Sequence, residues 1–110
     1  MTLQEIAERL DLEILTTGVD LDRSVSGGYC GDLLSNVLAA AGAGSLWITI
    51  QHHVNVIGVA QVAGLGGVLL AAGVQPLPSV VERAEEGGVP LLRSSRSAFE
   101  LAGSLYPLLH

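Results

Sequence analysis

The sequence has no lysine, and only five arginines stand against eleven acidic residues, for a net charge of −6. So few cations cannot build a broad phosphate-binding face, which argues against nucleic acid as a partner. No G-x-x-x-x-G-K-[ST] or G-x-G-x-x-G string occurs either. With no lysine to reach a phosphate, the usual loop cradle of a kinase or ATPase is missing. A single cysteine, Cys30, leaves no internal disulfide to form and fits a reducing, cytoplasmic setting. No apolar run reaches the roughly 18 residues of a membrane span, because Gln61 and several glycines break the longest one. The opening "MTLQEIAERL" is charged and amphipathic, unlike a secretory signal.

What the chain does have is apolar residues, 49% of its 110, with only 15% charged. That composition excludes disorder and fits a single domain over residues 1–110. A small domain has much surface to keep in water, so one this apolar is expected to hide part of it against another subunit.

Periodicity predicts the elements. Thr2 and Glu5 form a capping box in front of a short first helix with Leu3, Ile6, Ala7 and Leu10 on one side. "LEILTT" (12–17) and "SVSGGYC" (24–30) read as strands. A helix is expected from Asp32, with Leu33, Leu34, Val37, Leu38 and Ala41 on one face and Gly42 and Gly44 ending it. Then follow a buried strand at 46–50, a helix over 53–64, a strand at 67–73 and a helix starting at Pro76–Pro78. A strand at 89–95 and a last helix close the chain, the helix opening on Ser97 and Glu100 and stopping at Pro107. From about residue 24 strands and helices alternate, and the strands are continuously apolar. That predicts an α/β layered domain whose mainly parallel sheet is flanked by helices.

In such sheets ligands bind beyond the carboxyl ends of the strands. Four segments qualify: "GGYCGD" (27–32), "TIQHH" (49–53), "AAGVQP" (71–76) and "RSSRS" (93–97). The candidate contact residues are Gly27, Gly28, Thr49, Gln51, His52, His53, Asn55 and Gly73. Adjacent histidines point to opposite faces of a strand, or lie about 100° apart on a helix, so both rings on one metal is awkward. No third ligand stands at a metal-binding spacing. One histidine reads as capping or hydrogen-bonding the sheet end and the other as exposed, with no metal and no catalytic residue assigned. The glycines before Asp32 form a candidate anion nest, and Asp32 itself reads as a helix N-cap. Cys30 reads as a small buried hydrophobe, and Arg93 and Arg96 either hold an anion or pair with Glu100 or another surface acid. The 53–64 helix carries Val54, Val56, Ile57, Val59, Ala60 and Val62 and almost no polar face. A partner subunit is its economical cover, and a two-fold homodimer is the commonest form.

"GGYCGDLLSNVL", "WITIQHHVNVIGVA", "GVLLAAGVQP" and "VPLLRSSRSAFELAGSLY", in that order, resemble the DRTGG-domain family across about residues 3–106. The resemblance implies a fold like the N-terminal domains of HPr kinase/phosphorylase and of the enzyme MurF. Related domains sit beside CBS domains in regulated pyrophosphatases and in phosphotransacetylases, which implies an association or regulatory role. In HPr kinase the phosphate-binding loop belongs to the other domain. The family's Asp-Arg pair falls at His52-His53 here, and its Thr-Gly-Gly at Ala71-Ala72-Gly73. The expected function is a non-catalytic regulatory or scaffolding homodimer binding a small anion or nucleotide at the strand ends. The alternatives are a small phosphotransfer or hydrolytic enzyme using His52 or His53 as base, and a ligand-free interaction partner of a metabolic enzyme.

Overall fold

The computed structural model describes residues 1–110. Its elements run α1 (Leu3–Arg9), β1 (Glu13–Ile14), β2 (Gly27–Cys30), α2 (Leu34–Ala40), β3 (Ser45–Thr49), α3 (Asn55–Ala63), β4 (Gly67–Leu70), α4 (Pro78–Gly87), β5 (Leu91–Arg93) and α5 (Ala98–Leu109). The sheet order is β1-β5-β4-β3-β2. Strands β2 to β5 are mutually parallel, and β1 runs antiparallel along β5. The expected α/β architecture with a mainly parallel sheet is the one present.

Each parallel crossover steps one strand in the same direction, so its helix falls on the same face of the sheet. Val37 of α2, Val56, Ile57 and Ala60 of α3, and Val80 and Ala84 of α4 accordingly pack in one cluster with Trp47, Val68, Leu70 and Leu91. On the other face Leu3, Ile6 and Ala7 of α1 and Leu101 and Leu105 of α5 pack on Leu46, Ile48, Leu69 and Leu92. Alternate residues of each central strand thus enter different cores, which is why these strands lack a polar face.

Helix ends follow local chemistry. Thr2–Glu5 and Ser97–Glu100 are complete capping boxes. Gly64 and Gly88 terminate α3 and α4 in the left-handed conformation that only glycine adopts without strain. Two expectations fail here. Asp32 does not cap α2, whose N-cap is Leu33 with no side-chain hydrogen bond. And α5 does not stop at Pro107 but runs on to Leu109. Proline forfeits the helical bond to the Gly103 carbonyl, and its ring crowds that same carbonyl. The extra turn is repaid by Leu108 and Leu109, which pack against the α1/α5 core.

α3 is buried on one side only, through Val56, Ile57 and Ala60. No helix is long and apolar enough to cross a membrane.

Candidate functional site

The carboxyl ends of β2 and β3 are tied together by Asp32. One of its carboxylate oxygens accepts from the Thr49 hydroxyl at 2.7 Å and from the Ile50 backbone N–H at 2.9 Å. Gln51 donates from its side-chain amide to the Asp32 carbonyl at 3.0 Å. Trp47, fully buried in the middle of β3, donates its indole N–H to the Gly31 carbonyl at 2.8 Å. Asp32 is thus a loop clamp. Its carboxylate gives the buried Thr49 O–H its acceptor, while the hydroxyl oxygen accepts from the Gln51 backbone N–H at 3.0 Å.

This clamp sets the two histidines. His52 Nδ1 lies 3.0 Å from the Ile50 carbonyl oxygen, which can only accept. Nδ1 therefore carries the proton in the neutral ring and Nε2 is left as an acceptor. His53 is the reverse: its Nδ1 accepts from the Asn55 backbone N–H at 3.3 Å. Its Nε2 is then the donor. The adjacent rings offer opposite hydrogen-bonding character to a ligand.

Both histidines line a cleft of about 480 Å³ with Asp32, Gln51, Gln75 and Ser79, walled by Ile50, Val54, Leu77 and Val80. α3 and α4 begin at this wall. Their N-cap residues, Val54 and Leu77, supply no side-chain hydrogen bond. The first-turn N–H groups of α3 are already engaged: Asn55 donates to His53 Nδ1, Val56 to the His53 carbonyl and Ile57 to the Val54 carbonyl. α4 opens on Pro78, which has no N–H, and Val80 donates to the Leu77 carbonyl. The cleft therefore offers the two ring nitrogens, two amides and a hydroxyl, set at the positive ends of two helices.

Thr49, Gln51, His52 and His53 thus come together at one edge, with Thr49 acting from beneath through Asp32. Gly27 and Gly28 do not join them. They open β2, opposite Ser45 and Leu46, at the amino end of the sheet. A Cβ on Gly28 would come within 3.2 Å of Leu105, so its role is to let α5 approach. Asn55 faces a neighbouring groove with Leu38 and Val62. Gly73 is occupied internally. Its carbonyl accepts from Arg93 Nη2 at 2.9 Å, while Arg93 Nε bonds the Val74 carbonyl and Nη1 pairs with Glu13. Arg96 bonds Ser104 and lies 4.0 Å from Glu100. Neither arginine faces the histidines.

Cys30 is exposed rather than buried as expected, and it lines a separate apolar pocket under α5. Desolvation pushes its thiol pKa up, and the Asp32 charge adds to the rise. Both hold it in the unreactive thiol form. No group of three or more His, Cys, Asp and Glu side chains comes together in the fold. Gln75 and Ser79 are cleft residues that strand-end reasoning did not single out. The signal for them was their place on either side of the Pro76–Pro78 helix start.

A parallel sheet with a polar-lined cleft at its strand ends is an architecture that α/β binding modules use. The sequence matches the DRTGG domain over residues 5–107. The chain therefore belongs to the DRTGG-domain family. It is similar in structure to the CBS and DRTGG domains of the regulatory region of Clostridium perfringens pyrophosphatase, which was solved in complex with its activator, diadenosine tetraphosphate. The TM-score is 0.76 at 12% sequence identity, over 94% of this chain and 45% of that one. The chain thus spans less than half the length of that regulatory region. No curated protein matches it in sequence.

Proposed function

We propose that this chain is a regulatory α/β module that binds a small anionic ligand, of nucleotide type, in the strand-end cleft, and that it works as a homodimer without catalysis of its own. The observation that carries this is the cleft itself: about 480 Å³, bounded by the starts of α3 and α4 and by His52 and His53 presenting an acceptor and a donor. Its volume falls in the range of small-molecule sites. The histidines stand where the family's Asp-Arg pair is expected, so this chain would read its ligand with two ring nitrogens in place of a fixed ion pair. The activator of the pyrophosphatase region is a nucleotide, which supports that ligand class here. The lone Cys30 and the absence of disulfides fit a cytoplasmic setting.

The test is a thermal-shift series with adenosine mono-, di- and triphosphate, diadenosine tetraphosphate and inorganic phosphate. A ligand at a hundredfold excess over its Kd stabilises by about 2.7 kcal/mol. For a domain of this size that raises Tm on the order of 10 °C. The shift should disappear in His52→Ala and His53→Ala. No shift with any of the five compounds would sink the nucleotide reading.

A further inference from the structure

Charge is distributed unevenly along this chain. Between Asp32 and Glu82 there is no Asp, Glu, Lys or Arg, so α2, α3 and the start of α4 bear no formal charge in a chain of net −6. The segment is not simply buried. Val62 is 80% exposed, and Leu38 and Val54 are exposed beside it along a shallow groove between α2 and α3. Outward positions of a solvated helix usually carry charge, as Glu5, Glu8 and Arg9 do on α1. Depletion of charge at the centre of a patch marks an interface.

We infer that the α2–α3 face is where a second copy of this chain docks about a two-fold axis, an inference that rests on the homodimer reading above and assigns its surface. Two acidic copies repel through most of their surfaces, and this face lets them meet without opposing like charges. The rim is self-complementary as well. Arg83 lines the end of the groove, makes no ion pair within the chain, and is flanked on α4 by exposed Glu82 and Glu86. Across a two-fold axis such a strip sets the arginine of one copy against an acid of the other. Area decides how far the contact reaches. A stable interface takes about 800 Å² from each partner, which is most of the broad face of a molecule measuring 32 × 28 × 24 Å. The contact must therefore extend past Val54, which lines both groove and cleft, to the cleft rim at Ile50 and Leu77. The cleft mouth then lies at the dimer edge, and occupancy and association are linked.

Sedimentation equilibrium of the full chain tests the surface. Val62→Arg should weaken dimerisation by at least about tenfold in Kd, roughly 1.4 kcal/mol. Phe99→Arg, on an 88% exposed residue of the opposite layer, should leave it unchanged. Circular dichroism checks that both variants fold. Equal dimerisation of wild type and Val62→Arg overturns the surface and leaves the homodimer reading standing, whereas a wild type that stays monomeric overturns both. Diethylpyrocarbonate modification tests the reach. His52 and His53 should react more slowly, relative to His110, in wild type than in Val62→Arg, and equal relative rates overturn the extension to the cleft.

Discussion

Ala72 has a φ of 58°, in the left-handed region, directly before Gly73 at 71°. An L-residue with a side chain pays roughly 1–2 kcal/mol there, against about half to one for the lost freedom of a glycine. The turn is retained because the Ala72 N–H donates to the Arg96 carbonyl at 2.7 Å and the Gly73 N–H to the Ser94 carbonyl at 2.9 Å. Ala72→Gly should therefore stabilise the protein by about 0.5–1 kcal/mol, read as a higher urea midpoint at unchanged slope. A lower midpoint would mean the glycine costs more than the strain it relieves. Glu85 gives a residue-scale prediction in pH. Its carboxylate accepts from the Thr17 backbone N–H at 2.7 Å and the Thr17 hydroxyl at 2.9 Å, and these two bonds hold its pKa below the usual carboxylate value. A group whose folded pKa is depressed contributes stability that is full above its unfolded pKa and lost as pH falls through the folded one. Glu85→Gln keeps an acceptor but not the charge. It should be less stable than wild type at neutral pH and match it at pH low enough to protonate the carboxylate. A gap of constant size across the acid range would place the effect elsewhere than in this charge.

At the scale of elements, Asp32 matters more than its position in the sequence suggests. The loop after β2 and the start of the loop after β3 are joined through one carboxylate oxygen. Asp32→Ala leaves the buried Thr49 hydroxyl and the Ile50 N–H without that acceptor, at a cost of about 1–3 kcal/mol. It should also release His52, whose ring is anchored on the Ile50 carbonyl. Asp32→Asn, which keeps an acceptor, should lose less than half as much. Equal losses from the two variants would show that the charge, not the acceptor, does the clamping. The case also shows what was legible in the sequence. An acid just before an apolar helical run is a standard N-cap signal, and nothing local says that a threonine 17 residues away will compete for it. The strands were readable because burial on both faces makes them continuously apolar. α3 was readable from its length and from Gly64. The run of α5 through Pro107 was not, because it depends on Leu108 and Leu109 finding a core. The site was legible in its centre, Gln51 to His53, where polar residues interrupt an apolar run. It was not legible at Gly27 and Gly28. Strand direction within "SVSGGYC" was clear, but where pairing begins was not, and the glycines fall at the amino end.

At the scale of the molecule, one central sheet serves two cores, so the two helical layers cannot loosen independently of it. Leu46 and Ile48 enter the α1/α5 core, while Trp47 between them enters the α2–α4 core. The edges are short, two residues in β1 and four in β2, which limits pairing with foreign strands. Trp47 is the sole tryptophan, fully buried and bonded to Gly31, and so reports on the shared sheet. Urea unfolding followed by its emission should coincide with unfolding followed by far-ultraviolet circular dichroism, as in a two-state transition. A helical layer lost first would appear as a circular dichroism change ahead of the emission change. Coupling to association adds a second signature. If the folded state is a dimer, mass action makes the midpoint depend on protein concentration. Raising the concentration tenfold should move both transitions to higher urea by the same amount, and the shift should vanish in Val62→Arg. Coincident transitions that ignore concentration in the wild type would describe a self-sufficient monomer. The uncharged helices α2 and α3 would then remain exposed in water, contrary to the interface assigned to them.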